Sequence, residues 1–163
     1  MNTSALDDLL GIAEIATVFI GFAVLISVLS PRPSNKHQVL GMVITAAMVL
    51  VACVLPLVLR TLQIEAVTIV RVSSVIFAVL NLAVTVAMFR FIPGFSESQG
   101  SNLARVVWGI EGSVYSLLVL CAAGIWSVYA ITMYYSAVVL LLFQVIVFFI
   151  SLAIGLSQDE SAN

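Results

Sequence analysis

The sequence predicts an all-α membrane bundle, and three observations carry that prediction. Of 163 residues, 63% are hydrophobic and 9% are charged, with a mean hydropathy of +1.23. A soluble domain of this length carries about 25% charged residues, so lipid must be the solvent for most of this chain. The apolar residues also fall into long runs, separated by prolines, glycines and single basic residues. Finally, no connection or tail is large enough to fold alone; the longest connection is RFIPGFSESQGSNLAR, residues 90–105. Residues 1–163 are therefore expected to form one transmembrane domain, a compact bundle of five transmembrane helices without a soluble domain. Four spans are the alternative, if the fourth segment is re-entrant or lies flat.

A span needs roughly 20 apolar residues at a rise of about 1.5 Å each. The first runs over residues 9–29 and stops at SPRPSNKHQ, where Pro31 and Pro33 break the helix. It reads as a retained span, because MNTSALDDLL has two aspartates where a secretory leader has basic residues. The second runs over 39–59 and stops at Arg60, with Pro56 freeing a backbone carbonyl near its end. Residues 72–92 form the third, bounded by Arg71, Arg90, Pro93 and Gly94. From Val106 to Leu156 the only charged residue is Glu111. That run is too long for one span and is divided into 106–126 and 134–156. Trp126, Tyr129, Tyr134 and Tyr135 mark the division, because amphipathic rings collect at headgroup depth.

Basic residues favour the cytoplasmic side of a membrane. Arg32, Lys36, Arg90 and Arg105 lie at one face of this topology, against Arg60 and Arg71 at the other. The N-terminus is accordingly expected outside and the C-terminus in the cytoplasm, with a bacterial inner membrane as the expected location.

Charges within spans are the candidates for function. An ionised group at the centre of a span costs about 2.5–3.5 kcal/mol, so it finds a partner or a watery cavity. Glu14 lies in the first span, and Arg71 starts the third at a similar depth, so the two are expected to be able to pair. Glu111 lies near the start of the fourth, with Arg90 and Arg105 at the same boundary. Positions 71, 74, 78, 81, 85 and 88 share a helix face, giving a polar or small stripe that includes Arg71, Ser74, Asn81 and Thr85. Ser136, Gln144 and Ser151 form a thinner stripe on the fifth helix, expected to bind helices together. Two sets of small residues read as packing ridges: Ala13, Thr17 and Gly21 on the first helix, and Gly109, Gly112, Ser113 and Ser116 on the fourth.

Several chemistries are excluded as expectations. The single histidine, His37, and the single lysine, Lys36, share one loop. Intramembrane haem, a histidine-ligated metal and a buried Schiff base are therefore not expected. No G-x-S-x-G, H-E-x-x-H or P-loop pattern occurs, so no catalytic residue, cofactor or enzymatic activity is expected. Cys53 and Cys121 lie in apolar runs, as buried thiols do. Scattered basic residues and a net charge of −2 exclude nucleic acid as a partner.

The leading expectation is a homo-oligomeric ion channel, with Glu14, Glu111 and the third-helix stripe lining a path between copies. The alternatives are an accessory or scaffolding subunit of another membrane complex and a small proton- or ion-coupled transporter. One feature discriminates: whether a carboxylate lies free in a cavity or is tied to an arginine.

Overall fold

The computed structural model describes residues 3–29, 36–63, 65–91, 101–125 and 127–160. Five helices account for nearly all of them: α1 (Thr3–Leu29), α2 (Lys36–Arg60), α3 (Ala66–Phe91), α4 (Ser101–Ala122) and α5 (Ala130–Glu160). A single 3-10 turn, Ser127–Tyr129, precedes α5. Each helix contains a stretch long and apolar enough to cross a bilayer: Asp8–Ile26, Val39–Arg60, Ala66–Met88, Arg105–Ala122 and Ala130–Ala153. The fourth segment is one continuous helix long and apolar enough to cross a bilayer, as the five-span expectation requires, and is not re-entrant.

Most helices start earlier than the expected spans, and two of these starts change the role of a residue. The third helix begins at Ala66 instead of residue 72, so Arg71 lies within it, roughly 7.5 Å from its start. A single arginine does not end a helix; its aliphatic stem packs on apolar neighbours while its head reaches outward. The fifth begins at Ala130 instead of residue 134, which carries Tyr134 into the bundle, where it is buried. Tyr134 therefore does not act as a headgroup-level aromatic. Its Oη donates a 2.6 Å hydrogen bond to the carbonyl of Ala52. Ala52 is four residues before Pro56, so this carbonyl is the one that Pro56, lacking an N–H, leaves without its helical donor. A tyrosine from α5 fills that vacancy, and α2 continues through Pro56.

The connections end the helices by local hydrogen bonds. After α2, Thr61, Leu62 and Gln63 donate to the carbonyls of Val58, Leu59 and Arg60, and Gln63 takes a left-handed conformation at φ 55°. After α4, Gly124 donates to the carbonyl of Cys121 at φ 73°. Glycine adopts that conformation without steric cost.

α2 and α5 form the centre of the molecule. α3 packs on α2 and α4, and α4 packs on α5, so α2 through α5 close into a ring. α1 lies outside the ring against α2 and touches α5, where Phe19 meets Phe149 edge to face at 5.6 Å. Its inner face is Leu9, Ile12, Ala16 and Ala23, spaced three, four and seven residues apart as one helix face requires.

The small-residue ridges point the other way. Thr17 and Gly21 are exposed, and nothing in the chain lies within 4 Å of the Cβ position at Gly21. On α4 the buried residues are Val107, Ile110, Val114, Leu118 and Cys121. Gly109, Gly112, Ser113 and Ser116 are exposed on the opposite side. The ridges were expected to pack, but within one chain only Ala13 does. On α4, larger aliphatic side chains make the contacts instead, because they fill the space between ring helices.

Candidate functional site

Helices α2 to α5 leave a cavity of about 50 Å³ between them. It lies in the half of the bundle where α1 and α3 finish and α2 and α4 begin. Glu111 reaches it from α4, roughly 9 Å inward from Arg105 at 1.5 Å per residue. Asn81 reaches it from α3 and Gln144 from α5. Each residue sits on its helix's inward face, at the same register as buried neighbours such as Phe77, Val114 and Leu141.

Both oxygens of the Glu111 carboxylate are engaged. Asn81 Nδ2 donates to Oε2 at 3.0 Å, and Gln144 Nε2 donates to Oε1 at 3.1 Å. Two amides from two other helices thus hold one carboxylate in place. Asn81 and Gln144 are each 3% exposed and Glu111 is half-buried, so these hydrogen bonds are partly shielded from water. The oxygen of the Gln144 amide, Oε1, is buried with no hydrogen-bond partner. Tyr115, one turn along α4, places its hydroxyl beside Thr85 and Asn81 and near Glu111, without an ordinary hydrogen bond of its own. Thr45 and Thr85 add hydroxyls to the wall. Met48, Met88, Trp108 and Phe148 supply most of its apolar part.

Among the described residues, the lining contains no basic side chain. Arg90 and Arg105, at the same end of the bundle, are both exposed. The expected arginine neighbours of Glu111 are therefore replaced by amides. An amide N–H stabilises a carboxylate through its dipole but does not cancel its charge.

The other sequence candidates lie elsewhere. Glu14 is exposed on α1, on the side away from α2. Arg71 is at the opposite end of the molecule from the cavity. It is partly buried, and its Nε has no hydrogen-bond partner. Its guanidinium packs over the turn after α4: a Cβ at Gly124 would stand 2.8 Å from Nη2 and 2.9 Å from Cζ. Glu14 and Arg71 form no ion pair, because α1 is held against α2 and α5 while α3 lies across the ring. Ser74 is buried and turns its hydroxyl back to the carbonyl of Val70 at 2.8 Å, which leaves it no role in the cavity. Of the third-helix stripe, Asn81, Thr85 and Met88 reach the cavity, and they face the interior of one chain.

Gln144 was expected only to bind helices together; the structure makes it a partner of Glu111. Thr45 on α2 carried no visible signal, since one threonine in an apolar helix is common. Asn81 and Glu111 were visible separately, but their meeting depends on the rotation of α3 against α4, which periodicity does not fix.

No protein family model, curated protein or solved structure matches the chain.

Proposed function

We propose that this small integral membrane protein is an ion-coupled transporter whose working group is the Glu111 carboxylate. The observation that carries the reading is a carboxylate that lines a cavity inside the spanning bundle with amides and, among the described residues, no arginine against it. A structural ion pair would be neutral already and would bind nothing. An uncompensated carboxylate exchanges a proton or cation with whichever side of the membrane the cavity opens to. The size of the cavity also supports a binding compartment over an aqueous conduit. At roughly 10–15 Å³ per water on this measure, it takes about three or four waters.

The test is flux into liposomes containing the purified chain. Glu111→Gln is expected to abolish proton- or cation-driven flux, and Glu14→Gln to leave it unchanged. Equal flux from the Glu111→Gln protein would remove this reading.

One observation favours a second reading, the homo-oligomeric pore or an accessory role in a larger assembly. Glu14, Thr17 and Gly21 form an exposed face on α1, and a carboxylate facing lipid is costly. In that reading Glu14→Gln changes the subunit number measured by native mass spectrometry.

A further inference from the structure

We propose that the chain assembles with itself through an ion pair between copies, in which Glu14 of one copy meets Arg71 of the next. The inference rests on the oligomer reading above and names what Glu14 meets. It is independent of the transport reading, because neither residue lines the Glu111 cavity.

Two opposite charges in the spanning segments lack a counter-charge. Glu14 sits six residues into the span Asp8–Ile26, roughly 9 Å from its start. It is exposed on the side of α1 opposite Ile12, Ala16 and Ala23, and no hydrogen bond or ion pair ties it to another described residue. Arg71 sits five residues into the span Ala66–Met88, roughly 7.5 Å from its start. Its Nε has no hydrogen-bond partner, and no described carboxylate pairs with its guanidinium. Each charge is costly while it stays alone at this depth.

α1 and α3 both begin at the end of the bundle away from the cavity, so the two groups lie at nearly one level. Copies oriented by the same distribution of basic residues insert the same way round. Glu14 of one copy therefore stands level with Arg71 of another. Within one chain α1 is held against α2 and α5, which keeps the two apart. Between copies nothing in the chain intervenes: Glu14 faces outward, and Arg71 is partly exposed beside the turn after α4. The pair compensates both charges at once. A lipid phosphate would serve Arg71 and leave Glu14 alone. Contact of α1 with another α1 would place two Glu14 carboxylates side by side, which disfavours their charged forms.

Association in lipid depends on close packing and polar contacts between helices. The Glu14 face of α1 continues through Thr17 and Gly21, and the outer side of α4 carries Gly112. Nothing in the chain lies within 4 Å of the Cβ position at either glycine, so another backbone can come close. Each copy gives Glu14 to one neighbour and Arg71 to the other. Such a head-to-tail contact closes as a ring of three or more copies.

Native mass spectrometry of the full chain, released from vesicles of neutral lipid, gives the copy number. The expected result is three or more copies for the parent and at least a tenfold loss of that species in Glu14→Gln and in Arg71→Gln. Exchanging the charges, Glu14→Arg together with Arg71→Glu, is expected to restore it. Circular dichroism checks the helix content of each variant. Val18 and Val75 lie one turn beyond Glu14 and Arg71 and are both exposed, so they report proximity with the charges in place. Chains carrying Val18→Cys and chains carrying Val75→Cys, tagged to differ in mass, are reconstituted together and oxidised. Cys53 and Cys121 are buried and do not compete. Disulfide dimers of the two kinds of chain are expected, and are lost when Glu14→Gln is added to both. The proposal is overturned if the parent is monomeric or dimeric, if the exchanged charges fail to restore assembly, or if only Val18→Cys chains link to one another. A monomer would remove the oligomer reading as well. An oligomer with only that last link would keep the oligomer reading and remove this pairing.

Discussion

At Tyr134 a hydroxyl and a proline roughly 260 Å apart in a fully extended chain become one structural unit. Its Oη satisfies the Ala52 carbonyl that Pro56 leaves open, and both groups are buried. Tyr134→Phe removes the donor and strands that carbonyl, which is expected to destabilise the bundle by about 1–2 kcal/mol in an unfolding titration in mixed micelles. Gly124 is constrained twice, by its positive φ and by the Arg71 guanidinium over it. Gly124→Ala is expected to cost about 1–3 kcal/mol in the same titration, and Arg71→Ala in addition should relieve part of that loss. Full additivity of the two would mean that the side chains do not compete for the same space. A freed carbonyl at Pro56 is legible in the sequence. The identity of its donor is not, because Tyr134 reads equally well as an interfacial ring until the start of α5 is known.

Among the elements, the spans were legible and their rotations were not. Four apolar runs separated at Pro31, Arg60 and Pro93–Gly94, the last long enough for two spans, define five helices, since length and hydropathy act within each run. Which face turns inward depends on the neighbours. Thr17 and Gly21 on α1 and the 109–113 and 112–116 pairs on α4 have the spacing of helix contacts, yet they face outward. Glycines on the two sides of the bundle should therefore behave differently. Gly41 lies against Phe148, with its Cβ position 3.3 Å from the ring, and both residues line the cavity. Gly41→Leu is expected to displace that ring into the cavity and lower flux at least tenfold. Gly112, with nothing within 4 Å of its Cβ position, should tolerate Leu with unchanged flux and unfolding midpoint. Loss of assembly in Gly112→Leu, read by native mass spectrometry, would mark that face as an interface between chains.

For the whole molecule, the arrangement follows from where lipid and water leave each group. α2 and α5 carry the most buried spans and sit at the centre, while α1 covers one side of them. The ring of α2 to α5 encloses the only carboxylate, among the described residues, that accepts hydrogen bonds from other helices. The distribution of basic residues expects this cavity half on the cytoplasmic side. Cysteine labelling of an introduced Ser101→Cys by a membrane-impermeant reagent checks that orientation: the account expects protection in intact cells and reaction after lysis. The candidate site was half legible. Glu111 and Asn81 stood out as polar groups in apolar spans, and the choice between a free carboxylate and an arginine pair was posed by the sequence. It needed the helix rotations to answer it, because depth alone put arginines as near as amides.

The central claim is that Glu111 is an exchanging carboxylate and not a fixed structural group. Infrared difference spectroscopy of the chain in lipid tests it most directly, comparing choline chloride with NaCl at constant pH and again across pH. The account predicts carboxylate-stretch bands that shift on ion or proton exchange and vanish in Glu111→Gln. A difference spectrum in which Glu111→Gln changes nothing would contradict it, and Glu111 would then be a fixed link between α3, α4 and α5.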